Sequence, residues 1–263
     1  MSTYVMADIH GCYTDFMNML KKIDFKEDDK LIIAGDILDR GPENYEMLKW
    51  LENKPDNIEI IMGNHDEMFI EDVCSLKAQA QRECDLKANY KYISRYDHSF
   101  DKYKTVYGLI YDQNVTLGEL KKWAIIMADF ELIKELNIGG RDYIIVHAGY
   151  IDEDCLRRRG IDRKNGEDKL QYMLTAKEQF YVWAREEALI AGGKKDTTII
   201  AGHTPTISNS AFYTGGTVFK YVNEDINSVI YDIDCGCVFR KKYKEGNLAC
   251  IRLEDEKIFY LED

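Results

Sequence analysis

Five short apolar runs in this chain each end in a residue able to bind a metal or move a proton, with glycine alongside. No other feature limits the fold as much. Tyr4–Ala7 runs into Asp8, His10 and Gly11; Leu31–Ala34 into Gly35 and Asp36; Ile58–Met62 into Gly63, Asn64, His65 and Asp66. Tyr143–Val146 runs into His147 and Gly149, and Thr198–Ala201 into Gly202, His203, Thr204 and Pro205. Runs of this length, rich in β-branched and aromatic residues, read as buried strands. Between the first three, Phe16, Leu20 and Ile23 recur on one helical face, as do Met47, Leu48 and Leu51 behind Pro42 and Glu43, a pair suited to a helix start. Strand and helix in alternation imply a parallel sheet with crossovers, and ligands collect beyond the carboxyl ends of such strands. All five polar clusters then converge on one edge. Phe130–Leu136 reads as a hairpin partner of the Tyr143 strand through Gly139 and Gly140. Ser228–Asp234, Leu248–Leu253 and Ile258–Leu261 read as strands of a second sheet.

Histidine usage points to the same edge. The chain has 5 histidines, and His10, His65, His147 and His203 all occupy these strand ends. A structural role explains any single one, but four with their own glycine turns argue for a common site. His98 lacks that context and reads as a surface residue. Asp36 and Asp39 flank a turn that also holds Arg40 and Gly41, and two carboxylates this close resist joint ionisation unless a positive charge sits beside them. Asp8, His10, Asp36, Asn64, His147 and His203 offer mixed oxygen and nitrogen ligands. That set suits Mn²⁺, Fe²⁺ or Zn²⁺ better than Ca²⁺. Two such ions sharing Asp36, ~3.5–4 Å apart, would acidify a bridging water to a hydroxide nucleophile near neutral pH.

Bulk properties exclude several classes. The net charge of −12 opposes binding to nucleic acid or an anionic membrane surface. No apolar run approaches the ~18 residues of a membrane span, and the N-terminus has no signal-peptide pattern, so a cytoplasmic protein is expected. The 7 cysteines are odd in number and scattered, which indicates neither a disulfide framework nor a zinc-thiolate site.

Asp8-Ile-His10-Gly11, Gly35-Asp36 with Asp39-Arg40-Gly41, Gly63-Asn64-His65-Asp66, His147-Ala-Gly149 and Gly202-His203-Thr204 resemble the ordered signature of the metallophosphoesterases. Asp39-Arg40-Gly41 resembles the phosphoprotein phosphatase family, especially its bacterial and bacteriophage branch. The resemblance implies an α/β fold, a central β-sandwich of two mixed sheets flanked by helices, forming one domain over residues 1–263. It implies that Asp8, His10 and Asp36 hold a first metal, and that Asp36, Asn64, His147 and His203 hold a second, Mn²⁺ being the leading expectation. His65 resembles the general acid and Asp39 the carboxylate that orients it; a histidine so oriented can protonate a leaving oxygen, worth roughly 10²–10⁴ in rate. Arg40, Arg185 and Asn64 are expected on the phosphoryl oxygens, since a planar guanidinium matches them bidentately. Arg157, Arg158 and Arg159 compete with Arg185 but read as a solvated basic run.

Two details pull the substrate in different directions. Asp66, where eukaryotic protein phosphatases usually have glutamate, is similar to the diadenosine tetraphosphate hydrolases. Asp39 is similar to the protein phosphatases, and it outweighs Asp66 because it touches the acid. The expected enzyme is therefore a serine/threonine protein phosphatase acting on a phosphoprotein. A dinucleoside polyphosphate or small phosphate-ester hydrolase is the alternative, and a non-catalytic metal-binding module a third reading. Residues 67–128, with Tyr90, Tyr92, Tyr96, Tyr103, Tyr107 and Tyr111, read as a helical insertion, or as a lid whose tyrosines shape the substrate groove. Thr116–Glu119 and Thr175–Glu178 are capping-box signals.

Overall fold

The computed structural model describes residues 1–79, 104–158, 177–208, 210–240 and 245–261. His98, Arg159, the Thr175–Glu178 capping signal, and Tyr90, Tyr92, Tyr96 and Tyr103 of the tyrosine-rich segment lie wholly or partly outside them.

The apolar runs form strands β1 (Thr3–Met6), β2 (Lys30–Ile33), β3 (Ile58–Ile60), β5 (Arg141–Val146) and β6 (Thr197–Ala201). They divide between two sheets. One has the order β10-β9-β1-β2-β3, the other β4-β5-β6-β8-β7, where β4 is Ile133–Ile138, β7 Phe219–Asn223, β8 Ser228–Asp232, β9 Ala249–Arg252 and β10 Lys257–Tyr260. Strands β1, β2 and β3 are mutually parallel, as are β5, β6 and β8. Strand β4 pairs antiparallel with β5, as the hairpin reading expects. The expectation that the last strands belong to a second sheet holds for β8 only: β9 pairs antiparallel with β1, and β10 with β9, so both extend the first sheet.

Strand alternation explains the sandwich. Along β1 and β2, Val5, Ala7, Ile32 and Ala34 face the second sheet, where they meet Tyr143, Ile145, Ile200 and Tyr231. Tyr4, Met6, Leu31 and Ile33 face the other way, into a core shared with helices. Both faces of these strands are covered, so they read as continuous apolar runs rather than alternating ones. The helices on that side are α1 (Tyr13–Lys22), α2 (Asn44–Leu51), α3 (Asn64–Gln79), α4 (Lys104–Tyr111) and α5 (Leu117–Ala128). They contribute Phe16, Met47, Phe69, Leu109 and Trp123, all buried, each worth about 1.5–3 kcal/mol of transfer free energy. The Thr116 cap forms as expected: Thr116 Oγ1 accepts from Glu119 N at 3.2 Å, and Thr116 N donates to Glu119 Oε2 at 2.9 Å. Helices α6 (Glu153–Arg158), α7 (Lys177–Trp183) and α8 (Glu186–Ala191) follow β5. Tyr150 and Tyr181 there cover the outer face of the second sheet. Among the described residues no helix is long and apolar enough to cross a membrane.

Candidate metal centre

The carboxyl ends of β1, β2 and β3 from one sheet meet those of β5 and β6 from the other. Short turns bend each chain sharply there. Asp8, His10, Asp36, Asp39, Arg40 and His203 all have positive φ, six of the eleven such non-glycine residues among those described. Backbone of this kind costs about 1–3 kcal/mol per residue and persists where the surroundings over-determine it, as at functional sites.

Two groups of potential ligands result. The ligand atoms of Asp8, His10 and Asp36 lie within 4.8 Å of one another, and so do those of Asp36, His147 and His203. Asp36 belongs to both. Its Oδ2 faces His10 Nε2 at 3.5 Å and its Oδ1 faces His147 Nε2 at 3.4 Å. The histidine tautomers are fixed from behind: His10 Nδ1 donates to Leu38 O at 2.8 Å, and His147 Nδ1 donates to Ala34 O at 2.9 Å. Each Nε2 is left with a lone pair turned into the site, the arrangement that orients metal-binding imidazoles. Asn64 Oδ1 lies 3.0 Å from His147 Nε2 and 2.9 Å from His203 Nδ1. A side-chain oxygen facing two imidazoles is placed as a cation ligand would be rather than as a phosphate contact.

The electrostatics are those of a buried acceptor cluster. Burial pushes His10 down to about 3 and lowers His147, so both are neutral at neutral pH. Burial would raise Asp36, but His147, His10 and His65 hold it below the ordinary carboxylate range. Burial, with Asp234 and Asp36 nearby, raises Asp8; Asp8 also accepts the His203 N–H at 3.0 Å. Buried lone pairs this close need a positive charge between them. The Arg40 guanidinium lies against this cluster, donating to His10 Nε2 at 2.6 Å and to His65 Nε2 at 2.7 Å. A cation on the inward nitrogen of His10, together with the donor set, fits a site for divalent ions. A further group, Cys12, Asp15 and Cys237, is also close-packed, but there Arg240 donates to Asp15 Oδ1 at 3.0 Å and already supplies the charge.

His65 sits at the mouth of the site. Its Nδ1 donates to Asp39 Oδ2 at 2.8 Å, which brings together the pair read from sequence. Arg40 touches histidines rather than facing open space. Arg185 lies at the rim, with its guanidinium donating to His203 O at 3.2 Å. Arg157 pairs with Glu153 and Asp154 on the exposed face of α6, and Arg158 donates to Gly193 O.

Two residues of the site received no ligand or catalytic role from the sequence, where Asp234-Cys235-Gly236 could lie near the site but reads first as a strand-end turn. Asp66, outweighed there by Asp39, is fully buried and accepts from Asp36 N at 2.9 Å, Ile37 N at 3.1 Å and Gly63 N at 3.1 Å. It fixes the turn that carries Asp36. Asp234 follows β8, beside the end of β6, with its backbone oxygen accepting from Thr206 N at 2.8 Å. Its Oδ1 accepts from Gly236 N at 2.9 Å, while its buried Oδ2 has no partner. Burial raises its carboxyl to about 7. The signal for Asp234 was the same as for the others: an apolar strand ending in an acid beside glycine.

The family model described as calcineurin-like phosphoesterase matches residues 1–234. A symmetrical bis(5'-nucleosyl)-tetraphosphatase of Buchnera aphidicola subsp. Baizongia pistaciae is 40% identical over 78 residues, 29% of this chain and 28% of that protein. One from Haemophilus ducreyi is 36% identical over 78 residues, 29% of each. The matched stretch therefore spans less than a third of these relatives. Among solved structures, a metallophosphoesterase from Sphaerobacter thermophilus superposes with a TM-score of 0.52 at 13% identity, over all of this chain and 89% of that one. At that identity the likeness concerns the fold.

Proposed function

Because the chain belongs to the calcineurin-like phosphoesterase family, we propose that it is a metal-dependent hydrolase that cleaves dinucleoside polyphosphates. The observation that carries the hydrolytic reading is the pair of three-ligand groups sharing Asp36, beside the His65–Asp39 couple. Asp8, His10 and Asp36 would hold one divalent ion; Asp36, Asn64, His147 and His203 the other. Such ions supply Lewis-acid activation of water and offset charge on the phosphoryl group.

The chain's own residues do the rest. Arg40 and Arg185 bind the phosphoryl oxygens, with Arg40 leaving His10 and His65 as the anion arrives. That frees His65 Nε2 to carry the proton for the leaving oxygen, while Asp39 holds Nδ1 and so fixes the ring. Asp66 keeps Asp36 in register, and Asp234 stands close enough to Asp8 to act on its charge. In a symmetrical cleavage of a tetraphosphate, a water oxygen bonds to one of the two central phosphorus atoms, that atom's bond to the central bridging oxygen breaks, and two nucleoside diphosphates leave.

The names of the curated relatives support the dinucleotide substrate. The protein-phosphatase reading, drawn from Asp39-Arg40-Gly41, has no such support and is the weaker one. With Mn²⁺ present, bis(5'-adenosyl) tetraphosphate should have a kcat/KM at least ~10-fold above that of a phosphoserine peptide or an aryl phosphate. A phosphopeptide turned over better than the dinucleotide would overturn the substrate assignment.

A further inference from the structure

A cavity of about 200 Å³ opens beside Arg40, between the turn that leads into α2 and helix α4. Arg40 lines it and also reaches His10 and His65, so a ligand in the cavity is one side chain away from the candidate centre. The turn is fixed: Asn44 Oδ1 accepts from Asp39 N at 2.8 Å, and Asn44 Nδ2 donates to Gly41 O at 2.8 Å. Tyr45, on the same wall, is held edge-on against Trp123 with ring centroids 6.3 Å apart.

The opposite wall contains an oddity. Gly108 lies inside α4, where glycine costs about 1 kcal/mol relative to alanine. No contact demands it: a Cβ there would meet nothing nearer than Asp112 Oδ2 at 3.8 Å, and its φ is not left-handed. What glycine preserves is open space against a flat stretch of backbone. The lining thus combines a cation, Arg40, with flat or apolar surfaces from Pro42, Tyr45, Gly108 and Leu109 and with the carboxylate of Asp112.

That set of surfaces matches one kind of ligand. A chain of phosphates would meet Asp112 unfavourably, and a peptide would need a longer groove. A nucleotide presents phosphate to Arg40, a ring to the flat walls and N–H groups to the carboxylate. We infer that this cavity is the subsite for the base of the nucleotide nearest the scissile bond, a purine with N–H donors toward Asp112. Its size admits one base and not a whole dinucleotide. The inference rests on the nucleotide substrate proposed above. The two described tyrosines of the helical insertion, Tyr107 and Tyr111, stack on each other at 6.1 Å; the aromatic at the cavity is Tyr45 instead.

The test is calorimetric binding of ADP and of pyrophosphate to the full chain loaded with Mn²⁺. ADP should bind at least ~10-fold more tightly, the scale of one stacked base. In Gly108→Phe, whose ring fills the cavity, that ratio should fall below about threefold, and in Asp112→Ala it should fall severalfold. ADP no tighter than pyrophosphate in the natural protein, or a ratio that survives both substitutions, would refute the subsite. The natural-protein comparison and Asp112→Ala decide the matter even if Gly108→Phe does not fold. An ADP preference without turnover of bis(5'-adenosyl) tetraphosphate would reject the substrate and keep the cavity; turnover without the preference would reject the cavity alone.

Discussion

Gly63→Ala adds a single methyl group at the tightest point of the candidate centre. A Cβ on Gly63 would meet Asp36 N at 2.3 Å, Asp36 Oδ1 at 2.3 Å and Gly35 C at 3.0 Å. Gly63 does not have left-handed φ, so alanine adopts its backbone without strain and the effect is steric. The clash falls about 1 Å short of ordinary contact, and neither neighbour is the free end of a flexible chain. Asp36 is buried and tied on both sides, its N–H to Asp66 and its Oδ1 to the His65 N–H at 2.9 Å. The turn must therefore shift as a unit, carrying with it the oxygen that faces His147. A shift of about 1 Å in a reacting constellation costs ~100-fold in rate, and overpacking costs about 1–3 kcal/mol of stability. The expected outcome is a folded protein with reduced Mn²⁺ stoichiometry by elemental analysis, and at least ~30-fold lower kcat/KM on the best substrate, a floor set below the ~100-fold estimate. Two ions per chain together with activity within threefold of the natural protein would show that Asp36 does not need its present position, and the shared-ligand reading would fail.

Replacing His65 by Asn should slow an alkyl phosphate such as phosphoserine by ~10²–10⁴ and an activated aryl phosphate far less, because the better leaving group needs little protonation; equal losses on both would refute the acid role. Asp36→Asn should lower metal content and turnover together, and a variant that binds two ions normally would contradict the bridging position. Away from the site, Glu52 accepts from Lys122 at 2.9 Å, Trp123 Nε1 at 2.7 Å and Lys49 at 3.3 Å, led by Lys122, and is held down at about 2 from an ordinary 4.5. Its folded value is depressed, so its stabilisation is full above about pH 4.5 and is lost as pH falls toward about 2. The melting-temperature gap between the natural protein and Glu52→Gln should shrink between about pH 6 and about pH 3; a constant gap would count against the ion pairs.

Much of this was legible because one local rule repeats. A buried strand between two covered faces must be apolar throughout, so a polar residue at its end stands out, and His10, Asp36, His147 and His203 were visible for that reason. The split into two sheets was not visible from local pattern. It depends on β9 and β10 returning from the far end of the sequence to pair beside β1, a contact no nearby residue encodes. Asp66 was outweighed by Asp39 because Asp39 reads as touching the acid; the work Asp66 does is on backbone N–H groups, which carry no sequence signature. Arg40 was expected on the phosphoryl oxygens; where a guanidinium rests depends on the charges around it, and buried imidazole nitrogens draw it inward here.

The order in which the centre's residues occur along the chain bears on how the protein is made. Asp8, His10 and Asp36 follow the ends of neighbouring strands and are all present once the first few dozen residues have left the ribosome. The other group needs His203, which emerges well over a hundred residues later, roughly ten seconds or more at ~5–20 residues per second. During that interval a nascent polypeptide carries half a centre and no way to complete it. Translation itself thus delays completion of the shared-ligand arrangement until the second sheet's His203 has emerged to meet Asp36 and Asp8.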